Sequence, residues 1–148
     1  MQIYVDQSGK VEYTSQDTVI AYSNAKRKSL VIRAEEKRKI QQMFREAGKP
    51  TIFAFKTFAL LVYLLIRDDV MDIGTVMIDR EYVGKEWLVK QVLLQLLRKH
   101  GVSIDKGAID FCHIGKKHKA HMRALSVFHG EITPDMVVTS RDVLPYVL

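Results

Sequence analysis

The sequence predicts an α/β fold built on a mixed sheet. Three β-rich runs near the start read as an antiparallel meander, and later strands alternate with helices, which implies parallel pairing. Three observations carry this. Ile3–Val5, Thr18–Tyr22 and Ser29–Arg33 are short β-branched and aromatic runs separated by polar turns. From Glu35 onward the apolar period changes to that of a helix. Two strands, Ile-Tyr-Val-Asp and Val-Met-Ile-Asp, each end in an aspartate.

Taken in order, Ile3–Val5 is the first strand, and Gln7-Ser8-Gly9-Lys10 has turn chemistry. Val11–Thr14 reads as a strand piece, followed by the stronger Thr18–Tyr22 and then Ser29–Arg33. Glu35–Ala47 is an amphipathic helix, because Ile40, Met43, Phe44 and Ala47 share one face; Gly48 and Pro50 stop it. Thr51–Arg67 is apolar nearly all round and reads as a buried helix. Asp68, Asp69 and Asp72 form an acidic connection into the strand Ile73–Asp79. Trp87–Lys99 is a helix with a Leu/Val stripe, ended by Gly101. Ala108–Ile114 is a strand, Ala120–His129 a helix and Met136–Thr139 a last possible strand. No element is assigned to the closing Val143–Leu148, and residues 1–148 read as a single domain.

The composition is that of an ordinary soluble chain, 47% hydrophobic and 27% charged. Lys and Arg number 23 against 17 Asp and Glu, a net charge of +6 that suits a polyanionic partner and is also found on plain surfaces. The single cysteine, Cys112, excludes an intrachain disulfide and a cysteine zinc cluster, and its apolar flanks suggest a buried thiol. The apolar run Ile52–Ile66 is 15 residues long and includes Lys56, short of the roughly 20 needed to span a bilayer. No signal peptide precedes the first strand, so the expectation is a cytoplasmic protein with no membrane partner.

The chemistry gathers at the acid-tipped strands. Along Thr75–Glu81 side chains alternate, so Asp79 and Glu81 share a face while Arg80 points away. Glu86 follows within the same stretch. Carboxylates at the carboxyl end of a strand occupy the usual ligand position of open α/β sheets and can hold a hard cation. The plainer alternative is that they cap the strand and open the next helix. If the two aspartate-tipped strands lie parallel and adjacent, Asp6 and Asp79 converge.

On Tyr-Val-Asp6-Gln-Ser-Gly and Met-Ile-Asp79-Arg-Glu-Tyr, and on its order of elements, the chain resembles the ribonuclease H-like superfamily of nucleases, resolvases and transposases. The resemblance implies a metal-dependent nuclease or resolvase acting on phosphodiester bonds with Mg²⁺ or Mn²⁺. It implies Asp6 and Asp79 as metal ligands and catalytic residues, with Glu81 and Glu86 competing for further metal positions and Glu36 matching the acid on the first helix. It also implies a final acid after the last strand. This chain has none between Asp110 and Glu131, and His118 or His121 stands in that place, His121 as the candidate catalytic group. The spacings of His113, His118 and His121 fit no zinc pattern. Lys116, Lys117 and Lys119, with His118, form a basic loop suited to nucleic-acid phosphates, DNA or RNA; a merely solvated loop is the alternative. A catalytically inactive nucleic-acid-binding or protein-interaction domain on the same fold also accounts for these features.

Overall fold

The computed structural model describes residues 1–147 as a six-stranded mixed sheet with helices on both faces. The strands are β1 (Gln2–Ser8), β2 (Thr18–Ser23), β3 (Arg27–Ile32), β4 (Thr75–Asp79), β5 (Ile109–Cys112) and β6 (Met136–Val138). The helices are α1 (Ala34–Glu46), α2 (Phe53–Ile66), α3 (Glu86–Lys99), α4 (Lys119–Phe128) and α5 (Ser140–Val147). The order across the sheet is β5-β4-β1-β2-β3-β6. The meander β1-β2-β3 is antiparallel, and β4, β5 and β6 are added in parallel at its two edges. No helix among the described residues is long and apolar enough to cross a membrane.

Alternation along the strands divides the core. Ile3 and Val5 of β1, Ile20 and Tyr22 of β2, and Val76 and Ile78 of β4 pack with α1, α2, α3 and α5. The other face of the meander, Val19, Ala21 and Val31, packs under α4 through Ala124 and Val127. α2 is buried nearly all round, which is why its sequence carries so little amphipathic signal.

Most predicted elements stand, with corrections. β1 continues through Ser8, which pairs with Val19, so the turn begins at Gly9. Val11–Thr14 is not a strand. Val11 is buried, but the backbone folds into successive turns whose Lys10 and Tyr13 carbonyls accept from the Lys37 ammonium at 3.2 and 2.8 Å. Lys37 also donates to Thr18 Oγ1 at 2.9 Å, and burial pushes its pKa down to about 8. Carbonyls turned toward a buried cation are lost to a β ladder. Cys112 is half-buried rather than buried. The tail, left without an element, forms α5 despite Pro145 in its interior. Its start is held from α1, where Ser140 N donates to Glu36 Oε1 at 3.0 Å, and locally, where Thr139 N donates to Asp142 at 2.8 Å.

Gly9 marks where α4 closes on the sheet. It has φ of +73°, and a Cβ there would lie 2.2 Å from the Asp17 carbonyl oxygen and 2.5 Å from the Phe128 ring. Both the left-handed backbone and the space require glycine. Gly9→Ala is expected to cost about 2 kcal/mol or more, since the native conformation is incompatible with a side chain. Chemical denaturation measures this, and an unchanged midpoint would contradict the packing described.

Candidate functional site

Parallel pairing of β1 with β4 sets Val5 opposite Ile78, so the next residues, Asp6 and Asp79, stand side by side at the carboxyl ends of both strands. Each lies one step out of phase with the apolar residues facing α2, so both carboxyls are on the α4 face. Glu81, two residues beyond Asp79, joins them: one ligand oxygen from each of Asp6, Asp79 and Glu81 lies within 4.8 Å of the others. Among the described residues this is the group of three or more potential metal ligands that the fold brings together.

The backbone orients two of the three. Gln7 N donates to Asp6 Oδ1 at 2.8 Å, and Ile114 N donates to Asp79 Oδ1 at 2.7 Å. Arg80 N donates to the Cys112 carbonyl at 3.1 Å, tying the exit of β4 to that of β5. Each aspartate thus has one oxygen fixed and one turned elsewhere. Asp6 Oδ2 meets His121 Nδ1 of α4 at 2.9 Å. Asp6 is 2% exposed and His121 is half-buried.

Three carboxyls this close cannot all carry charge without cost. Burial, a hydrogen bond with Asp79, and the charges of Asp79 and Asp6 push the Glu81 pKa up to about 8. Asp6 is also held above the ordinary carboxylate value, by burial first and the Asp79 charge second; Gln7 N and His121 pull the other way. At neutral pH the cluster therefore keeps a proton on Glu81. Its donors are all oxygen, the set that suits a hard divalent cation, and such a cation would displace that proton.

The remaining predicted residues distribute as follows. His121 reaches the cluster, whereas His118 does not: its Nδ1 accepts from Ala120 N at 3.0 Å as the cap of α4, and its ring packs tilted against Tyr4, with centroids 4.6 Å apart. Glu36 is outside the cluster. It sits on α1, across the sheet from α4, caps α5 through Ser140 and pairs with Lys39 at 2.7 Å. Glu86 is likewise outside it and opens α3, where its charge favours the helix N-terminus. Lys116, Lys117 and Lys119 are exposed on the segment that leaves Ile114 beside Asp79 and enters α4.

A supporting network that sequence reasoning missed lies behind the acids. Gln7 Nε2 donates to the Tyr82 hydroxyl at 3.4 Å, and that hydroxyl donates to Glu12 at 3.2 Å. Tyr82 packs its ring 5.2 Å from Phe58, and burial raises its pKa. The only sequence signal was the polar Gln7 on the core-facing side of a strand. No family model, curated protein or solved structure matches the chain.

The Glu81 proton makes stability depend on pH. The folded chain holds it to about pH 8, while the unfolded chain releases it near the ordinary 4.5. The folded state binds more protons in that interval, so stability falls as pH rises through it. In metal-free buffer, Glu81→Gln is expected to flatten this dependence and to melt about 2–4 °C above wild type at the alkaline end, the shift that about 1 kcal/mol produces. Superimposable melting profiles for the two proteins would contradict the shared proton.

Proposed function

We propose that this chain is a metal-dependent nuclease or resolvase of ribonuclease H-like fold. The observation that carries the reading is the convergence of Asp6, Asp79 and Glu81 at the carboxyl ends of two adjacent parallel strands, with His121 on Asp6. The strand order and the antiparallel meander support it.

Asp6, Asp79 and Glu81 would hold Mg²⁺ or Mn²⁺. Such ions would supply an activated water and charge stabilisation for phosphodiester hydrolysis. The chain's own residues set the conditions for this. Gln7 N and Ile114 N fix the orientation of the aspartates, which keeps the free oxygens convergent. His121 holds Asp6 Oδ2 from the helix side and stands where the family pattern would have its final acid. An imidazole there can carry a proton between the cluster and solvent. Lys116, Lys117 and Lys119 on the adjoining segment offset the repulsion between the acids and a polyanion. A cytoplasmic setting suits a chain with one cysteine.

A nucleic-acid-binding domain without catalysis remains the second reading, favoured by the absence of any acid between Asp110 and Glu131. Cleavage assays on single strands, duplexes, hybrids and junctions with Mg²⁺ or Mn²⁺ separate the two. Asp79→Asn is expected to abolish metal-dependent cleavage, a loss of at least about a hundredfold, with the fold intact. Removing one charge from the crowded acids should leave the melting temperature level or slightly raised. Equal cleavage by wild type and variant would place any activity elsewhere.

A further inference from the structure

On the flank of α4 turned away from the acids, the chain forms a groove whose charged lining residues are all cationic. Lys119, Met122, Arg123 and Ser126 follow at i, i+3, i+4 and i+7, one stripe of the helix. The stripe faces Arg27, the first residue of β3, and Ile132, and together these six residues line a cavity of about 240 Å³. No carboxylate lines it. Among the described residues, none of Arg27, Lys119 and Arg123 is in a salt bridge. The acids beyond Arg27 are engaged: Asp69 accepts from Lys28 and Tyr22, and Asp135 from Ser29.

The charge pattern points to an anion. Arg27, Lys119 and Arg123 line one groove without a counter-charge, an arrangement that an anion relieves. The volume falls below the roughly 300–1,000 Å³ of small-molecule pockets, so it suits one phosphoryl group rather than an organic cofactor. Guanidinium groups match phosphate oxygens in pairs, and two of the three cations are arginines.

The groove is continuous with the basic segment. Lys119 also lines the neighbouring cavity formed with Tyr4, Ser23, Asn24, Lys117 and His118. His121, between Lys119 and Arg123 in sequence, points the other way, to Asp6. The acids and the groove therefore flank one helix.

We propose that the groove of Arg27, Lys119 and Arg123 binds a backbone phosphate of a nucleic-acid strand that crosses α4 from the position held over Asp6, Asp79 and Glu81. The inference rests on the nuclease or resolvase reading, whose polyanion it positions. Ser126 and the Arg123 guanidinium receive the phosphate oxygens, while Met122 and Ile132 wall the groove against the flanking sugar.

The test has two arms, both in metal-free buffer so that no strand is cut. In the first, Arg27→Ala/Arg123→Ala is compared with wild type for binding of a fluorescent single-stranded oligonucleotide across a salt series. The slope of log K against log salt should fall by about 0.7, the increment for one phosphate on a single strand. In the second, the Arg123 Nε–H resonance of labelled wild type, assigned by its loss in Arg123→Lys, is followed during titration with the oligonucleotide and with inorganic phosphate. It should shift with both and not with chloride at equal ionic strength. This arm needs no alanine variant to fold. If wild type binds the oligonucleotide but the slope or the resonance is unchanged, the groove proposal is overturned and the reading of the acids stands. A shift with phosphate alone means a free-ion site and also overturns it. If wild type binds no nucleic acid, both fall together.

Discussion

The structure depends on one constraint: β1 and β4 pair in parallel with Val5 opposite Ile78, which forces Asp6 and Asp79 into contact range. That register is set by apolar burial. Ile3 and Val5 must face the same core as Val76 and Ile78, and a slip of either strand by one residue would turn its aspartate into it. Hydrophobic packing thereby holds together groups that repel one another. The repulsion is met locally, by backbone N–H groups on Asp6 and Asp79, by His121 on Asp6 and by the proton on Glu81. A cluster that retains a proton at neutral pH is one in which a cation has something to displace.

α4 is the element that turns this edge into a site. Its buried stripe, Ala120, Ala124 and Val127, seats it on the sheet, and small residues let it come close. The close approach is why Gly9 meets Phe128 with no room for a Cβ. Seated there, the helix sends His121 to the acids on one flank and presents Lys119 and Arg123 on the other. The His118 cap starts the helix at the position where both flanks are aligned.

Much of this was legible in the sequence, for identifiable reasons. Asp79 announces the end of β4, whereas β1 runs two residues past Asp6, and alternation placed Glu81 with Asp79 and Arg80 apart. The 3.6-residue stripes of α1 and α3 and the all-round apolar α2 were equally plain. Glu36 misled because a helical period shows which residues share a stripe and not which face of the sheet the helix covers. The stripe carrying Glu36 faces α5, where its carboxylate caps Ser140. α5 itself was hidden by Pro145, and its first N–H is satisfied from α1, although Thr139 and Asp142 also form a local cap. Val11–Thr14 has strand-forming residues, but the buried ammonium of Lys37, 24 to 27 residues away, captures its carbonyls. Contacts at that range leave no local pattern.

Asp6, Asp79 and Glu81 are proposed to bind a divalent cation together. A titration of the metal-free protein with Mn²⁺, read by the paramagnetic resonance of the free ion and by proton release in weak buffer, tests it most directly. The account predicts saturable binding accompanied by release of the Glu81 proton at neutral pH, with release lost in Glu81→Gln and binding lost in Asp79→Asn. No saturable binding, or binding unaffected by Asp79→Asn, would contradict it.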